Sequence, residues 1–196
     1  MAFYFDKDTN VESKEVTTRA EIDGKFYTFK TDNNVFSKKG LDFGTRTLLE
    51  SIDIKNISGD VLDFGCGYGP IGIYIKSNAL ANVDMIDVNK RALNLAKINA
   101  SINNVDVNIF ESDIYSNINK KYDYIITNPP IRVGKTILYD IIMNAKEHLK
   151  ENGEVWLVVR KQQGAESLMR DMKKNYNSVE VIKKKKGFYI IRSKEK

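Results

Sequence analysis

Asn128-Pro129-Pro130 is the stretch of this sequence best equipped for chemistry. Consecutive prolines fix φ at about −65° and supply no N–H, so the carbonyls around them stand as pure acceptors. A planar amino group presents two N–H donors, and the Asn128 side-chain oxygen and the Pro129 carbonyl can accept one each. Held in that way, the nitrogen has its lone pair drawn out of conjugation and aimed at an electrophile. All 3 prolines of the chain fall in two stretches, and Pro70 marks the other one, Val61-Leu62-Asp63-Phe64-Gly65-Cys66-Gly67-Tyr68-Gly69-Pro70-Ile71-Gly72. This reads as a buried strand, a glycine-rich turn and a helix start. Such a turn turns backbone N–H groups and the positive end of a helix dipole toward a ligand. Glycine permits the backbone conformations and the close approach that a Cβ forbids, and proline suits the first helical position.

The turn alone leaves two cofactors open. Gly67-x-Gly69-x-x-Gly72 matches the dinucleotide fingerprint, and Asp63-x-Gly65-x-Gly67 matches the first motif of S-adenosylmethionine (SAM) methyltransferases. The elements around it narrow the choice. Residues 14 to 30 predict a hairpin turning at Asp23-Gly24, followed by an ordered loop over 31 to 44 and a helix from Thr45. Past the glycine turn a helix runs to about Asn78, and Val83–Val88 is a second strand. Asn89 caps a helix with apolar positions at Ala92, Leu93, Ala96, Ile98 and Ile102. Strands follow at Val105–Phe110 and Tyr122–Thr127, then a helix over Lys135–Lys150 that stops at Asn152-Gly153. Glu154–Val159 reads as a central strand with Trp156 in the core, and Gly164–Asn175 as a helix. Strands at Val179–Ile182 and Phe188–Ile191 are joined through Lys183-Lys184-Lys185-Lys186-Gly187, too short a link for a parallel pair. The fold class is therefore α/β, Rossmann-like, with a mostly parallel seven-stranded sheet, helices on both faces, an antiparallel terminal hairpin and a short N-terminal β-hairpin. A terminal antiparallel hairpin favours SAM over a dinucleotide.

In open α/β sheets ligands bind beyond the carboxyl ends of the strands. Asp87 ends the second strand, about 20 residues past the turn, where a carboxylate can accept from ribose hydroxyls. Ser112-Asp113-Ile114, past the third, suits an adenine amino group and ring. The expected cofactor set is Asp63, Gly65, Cys66, Gly67, Asp87, Val88, Asp113, Ile114 and Asn128; Asn128 and Pro129 are the expected catalytic pair, with Pro130, Ile131 and Arg132 facing the acceptor. Methyl transfer is an in-line displacement, so positioning and electrostatics carry most of the acceleration without a strong base. Cys66 reads as a small residue that fits the turn, and His148 as a cation near a helix end.

Composition bounds the rest. A chain of 196 residues fits one domain over 1–196, residues 1–44 forming the N-terminal hairpin and lid segment. No apolar run approaches the length needed to span a bilayer, and Met1–Asp8 turns charged too early for a secretory signal, so a cytoplasmic protein is expected. With 1 cysteine and 1 histidine, no metal site is expected. The net charge of +5 favours an anionic partner such as nucleic acid.

Three stretches together, Phe36–Thr45, Asp63–Gly69 and Asn128-Pro129-Pro130-Ile131-Arg132-Val133-Gly134, resemble the small methyltransferase (MTS) domain. That family includes bacterial 16S rRNA guanine-N2 methyltransferases and stand-alone relatives. The resemblance covers roughly residues 15 to 193 and implies a class I fold, SAM as cofactor and the exocyclic N2 of guanine in rRNA as acceptor. By position it implies that Gly65, Gly67 and Asp87 hold methionine and ribose, Asp113 the adenine and Asn128 the acceptor amine, under a lid formed by Phe36–Thr45. Many amino-methyltransferases carry an aromatic after the two prolines to stack the base; here Ile131 stands there, leaving Phe43 and Tyr115 as candidates. The longer bacterial enzymes also have an additional N-terminal domain, so RNA, as rRNA or a ribosomal subunit, must be recognised by the core, the hairpin or the partner in a homodimer. The alternatives are methylation of adenine N6 or a protein glutamine amide, or a non-catalytic RNA-binding or ribosome assembly factor.

Overall fold

The computed structural model describes residues 14–33, 35, 37, 40–130 and 134–195. Strands β1 (Val16–Ile22) and β2 (Lys25–Thr31) form the antiparallel hairpin, with Asp23 and Gly24 both at positive φ, +48° and +74°. Two left-handed central residues make a turn whose twist matches that of the strands. The free edge of β2 is satisfied by a helix, not by another strand. Asn99 donates to the Lys30 carbonyl (2.9 Å) and accepts from its N–H (2.7 Å), and Asn103, one turn on, does the same at Thr28. Side-chain amides at i and i+4 share a helix face and so imitate the edge of a strand.

Helix α1 (Phe43–Leu49) begins two residues before the expected Thr45, because the Asp42 carboxylate accepts from Thr45 N (3.0 Å) and caps it. The main sheet then builds by alternation: β3 (Ser58–Phe64), α2 (Pro70–Asn78), β4 (Leu80–Asp87), α3 (Lys90–Ile102), β5 (Asn108–Glu111), β6 (Tyr122–Thr127), α4 (Gly134–Asn144), β7 (Leu149–Arg160), α5 (Ala165–Asn175), β8 (Ser178–Lys185) and β9 (Phe188–Lys194). Its order is β5-β4-β3-β6-β7-β9-β8, with β9 antiparallel to both neighbours and the other pairs parallel. Strand order reverses between β3 and β6, the switch point where an open sheet leaves a crevice. Pro70 occupies the first turn of α2 behind Gly69, and the Asn89 side chain caps α3 by accepting from Arg91 N and Ala92 N.

Three boundaries differ from expectation. β5 begins at Asn108 and pairs only with β4, while Val105 and Val107 pack against the core from the preceding loop. The helix expected to run to Lys150 ends as α4 at Asn144, passes through a 3-10 turn at Ala145–His148, and gives way to β7. Asn152-Gly153 is thus not a helix stop but a loop-out within β7: Leu149 pairs with Tyr122 and Glu154 with Tyr124, and the residues between are extruded. Pairing with β6 outweighs the local stop signal. Third, Lys183, Lys184 and Lys185 lie on β8, and only Lys186-Gly187 form the turn, both at positive φ. Lysines on an edge strand discourage pairing with another chain.

Two cores flank the sheet. One, including Phe29, Leu48, Ile73 and Met85, packs α1, α2, α3 and the hairpin; the other, including Leu62, Ile142, Leu157 and Leu168, packs α4 and α5. Each fully buried aliphatic contributes about 1.5–3 kcal/mol of transfer free energy. Trp156 is core, as expected. Among the described residues no helix is long and apolar enough to cross a membrane.

Candidate active site

The glycine turn joins β3 to α2 and is pinned at its base by Cys66 N donating to the Ile86 carbonyl (2.8 Å). Its four glycines do two different jobs. At Gly65 and Gly67, φ is +68° and +56°, and a Cβ would meet nothing within 4 Å, so these two face open space. At Gly69 and Gly72 a Cβ would lie 2.8 and 2.6 Å from Met85, so these two let the turn and helix press onto β4. The first pair opens a cavity and the second closes a core.

Asp87 lies at the end of β4. Its carboxylate accepts from Gly67 N and Asn89 N, both at 2.9 Å, which fixes the side chain and leaves lone pairs directed outward. Burial raises its pKa, and those N–H groups partly offset the rise. Asp63 behaves differently from the sequence expectation. It is fully buried behind the turn, with Oδ2 accepting from Gly72 N at 2.8 Å and Oδ1 without a partner among the described residues. Burial pushes its carboxyl up to about 7, with Asp87 adding to the rise. Cys66 is also buried; burial first, then the charges of Asp63 and Asp87, raise its thiol well above the ordinary range. A protonated thiol is a poor nucleophile, so the residue serves the turn.

At the turn is a cavity lined by Phe64 and Gly65, by Ile86, Asp87 and Val88 at the end of β4, by Ser112–Ile114 after β5, and by Pro130, Ile137 and Ile141. Ile114 adopts φ +50°, unusual for a β-branched residue, and Ser112 Oγ donates to its carbonyl at 3.0 Å. Such strain costs about 1–3 kcal/mol and is held where the surroundings over-determine it. The expected residues Gly65, Asp87, Val88, Asp113 and Ile114 are therefore brought together around one cavity, with Gly67 bonded to its wall.

Asn128 follows β6, where Thr127 Oγ1 donates to the Phe64 carbonyl (2.8 Å) and ties the two strand ends. The Asn128 amide nitrogen donates to Thr45 Oγ1 at 2.8 Å and approaches Asp42 Oδ1 at 3.4 Å. A carboxylate only accepts, so it fixes which end of the amide carries hydrogens and turns the Asn128 oxygen the other way. A second cavity of about 200 Å³ opens here, lined by Ser37, Asp42, Phe43, Asn128, Val158, Val159, Arg160, Gln163 and Phe188. The Phe43 and Phe188 rings stand 5.6 Å apart at 47°, Arg160 lies 4.6 Å over Phe188, and Lys185 and Lys186 lie 5.6 and 5.0 Å over Phe43. Tyr115 is not at either opening. Its ring packs between Phe64 (4.8 Å) and His148 (4.3 Å), and its hydroxyl donates to the Ile141 carbonyl, so it is a buried strut. Phe43 alone of the two aromatic candidates faces the space beside Asn128.

Ile131 and Arg132, expected to face the acceptor, lie outside the described residues, as do Phe36, Lys38 and Lys39 of the expected lid. Sequence reasoning missed Asp42, Thr45, Arg160 and Phe188 as site residues. The first two carried a signal, since Asp-x-x-Thr is N-cap spacing; Phe188 and Arg160, paired across β9 and β7, carried none.

A seven-stranded sheet of this order with a glycine turn after β3, an acid ending β4 and an Asn-Pro-Pro after β6 defines a class I methyltransferase. The chain matches the Methyltransferase small domain family over residues 26–192 and belongs to that family, whose methyl donor is SAM. It is 41% identical over 196 residues to the Bacillus subtilis protein YbxB, covering 98% of each chain. It is also 34% identical over 162 residues to Ribosomal RNA small subunit methyltransferase C of Psychromonas ingrahamii, covering 80% of this chain and 45% of that one. Against the enzyme of that name from Haemophilus influenzae (strain PittGG), identity is 43% over 129 residues, 63% of this chain and 39% of the other. The chain thus spans under half the length of those rRNA methyltransferases. In fold it is similar to the solved T. thermophilus 16S rRNA N2 G1207 methyltransferase (RsmC) in complex with AdoMet and guanosine, with a TM-score of 0.85 at 22% identity, over 94% of this chain and 52% of that one.

Proposed function

We propose that this chain transfers the methyl group of SAM to the exocyclic N2 amine of a guanine in rRNA. The observation that carries the reading is the orientation of Asn128. Its NH2 is engaged by Thr45 and Asp42, so its oxygen is free to accept from a substrate amine beside the Pro129 carbonyl. Residues of one short segment border both cavities, Pro130 the first and Asn128 the second.

The residues present fit SAM. Asp87 is half-buried, lines the cavity and has no salt-bridge partner among the described residues. Gly65 and Gly67 present a backbone that nothing crowds. A cavity lined by the acids Asp87 and Asp113, with no cation among its lining residues, suits a ligand bearing a sulfonium and an ammonium group. SAM supplies an electrophilic methyl group; the chain's own part is to hold it and to aim the amine. Asp87 is assigned to the ribose hydroxyls, Asp113 and Ile114 to the adenine, and Asn128 with Pro129 to the acceptor nitrogen. The RNA reading is supported by Arg160 over Phe188 and by Lys185 and Lys186 over Phe43, cations suited to phosphate beside the acceptor space.

Asn128→Ala should leave SAM affinity within about twofold and lower methyl transfer to rRNA by roughly 10²–10³-fold, the usual effect of removing one polar group that positions the reacting centre. Calorimetry for SAM and tritiated-methyl transfer to rRNA measure the two. Near-normal turnover by the variant would show that the acceptor role is assigned to the wrong residue.

A further inference from the structure

We infer that Asp42 is the residue by which this site tells guanine from other purines, its free carboxylate oxygen accepting the N1–H of the base whose N2 amine Asn128 holds. The inference rests on the guanine reading above and adds the group that enforces it. Asp42 Oδ1 is committed, accepting from Thr45 N at 3.0 Å and facing the Asn128 amide at 3.4 Å. Oδ2 has no hydrogen-bond partner among the described residues, and Asp42 lines the same cavity as Asn128. Two aromatic side chains, Phe43 and Phe188, line the cavity and pack on one another at 5.6 Å, with Arg160 over Phe188. Aromatic faces of this kind stack any base without choosing among them. Choice therefore falls to the polar groups that line the cavity.

Guanine presents N1–H and N2–H₂ side by side, an unbroken row of donors. Asp42 and Asn128 both line the cavity, so it offers two acceptors to that row, the Asn128 oxygen and the Asp42 carboxylate. Adenine presents N6–H₂ beside N1, which is an acceptor, and would set a lone pair against the carboxylate. 2-Aminopurine keeps the N2 amine but lacks the N1 proton and the O6 oxygen; a carboxylate cannot donate to O6, so the change in ratio on altering Asp42 isolates the N1 contact. A site built to bond one donor rejects the analogue lacking it because its own polar group is left unpaired. Asp42 is a specificity residue in this account, and the α1 cap ties it to Asn128, so the reader and the holder of the amine move as one unit.

The test is binding of guanosine, adenosine and 2-aminopurine riboside to the protein in the presence of S-adenosylhomocysteine, followed by NMR titration, for the natural chain and Asp42→Asn. Asparagine also caps helices, so this variant keeps the α1 start, and circular dichroism checks that it folds. The natural chain should prefer guanosine over 2-aminopurine riboside by roughly tenfold, and Asp42→Asn should narrow that ratio to about threefold or less. A natural chain that binds 2-aminopurine riboside as well as guanosine overturns the inference, whether or not the variant folds. So does an unchanged ratio in a folded variant, and in either case a continued preference for guanosine over adenosine leaves the guanine reading standing. If the natural chain binds adenosine as well as guanosine, the guanine reading itself falls, and Asp42 with it.

Discussion

The two ends of the parallel sheet treat their carboxylates in opposite ways. At the amino end, Asp60, Asp84 and Asp123 are paired with two lysines: Lys150 lies 2.6 Å from Asp60 and 2.8 Å from Asp123, and Lys120 lies 2.9 Å from Asp84. Tyr122 Oη and Asn108 Nδ2 also donate to Asp84. At the carboxyl end, Asp42, Asp63, Asp87 and Asp113 have no salt-bridge partner among the described residues. Backbone N–H groups hold three of them, at Thr45, Gly72, Gly67 and Asn89. An N–H fixes a carboxylate without cancelling its charge, whereas an ammonium group does both. One end of the sheet is finished by the protein itself, and the other is left to be completed by what binds there.

The largest break in this contrast should come from Asp87→Ala. Losing a charged acceptor for the ribose removes about 1.5–3 kcal/mol, so SAM should bind roughly 10–100-fold more weakly by calorimetry, with no loss of thermal stability. A variant that bound SAM normally would move the cofactor away from β4.

pH separates the two ends next. The Asp63 carboxyl is raised to about 7 by burial, so the folded state keeps a proton that the unfolded chain gives up near pH 4. Its contribution is fully present below about pH 4 and is lost as pH rises through 7. Asp60 runs the other way. The hydrogen bond from Lys150 holds its carboxyl below the usual range, so its contribution is present above about pH 4 and lost on acidification below that. Urea unfolding of the SAM-free protein should therefore show Asp63→Asn reducing the loss of stability between pH 5 and pH 8. An Asp63→Asn profile parallel to that of the natural chain over that interval would mean the buried acid is already ionised.

The smallest effect belongs to the finished end. Lys150 is partly exposed, and exposed pairs are worth about 0–1 kcal/mol each. Lys150→Met should lower Tm by a few degrees, leaving SAM affinity and methyl transfer unchanged. A large loss of activity would couple the two ends and undo the contrast.

The carboxyl end was also the more legible in the sequence, and for the same reason. Glycines at forced φ, an acid at a strand end and a double proline are unusual choices that propensity does not explain. The Asp23-Gly24 turn and the Asn89 cap were equally readable because their signals are local. Asn152-Gly153 was misleading, since it satisfies a helix stop and a strand loop-out alike, and only pairing between β6 and β7 decides. Asp63 was readable as part of a motif but not in its place, behind the turn and not in the cavity. Phe188 and Arg160 could not be found at all, because cross-strand pairing of β9 with β7 brings them beside Phe43, and no pattern in the chain predicts that register. Nor did the sequence suggest that Asn99 and Asn103 would serve as the missing neighbour of β2.

The most direct test of the account is nucleoside mass spectrometry of rRNA from cells with the gene, without it, and with only the Asn128→Ala form. The account predicts N2-methylguanosine at one position in the first and its loss in the other two. An unchanged N2-methylguanosine content in cells lacking the gene, with a different methylated nucleoside or none disappearing, would contradict it.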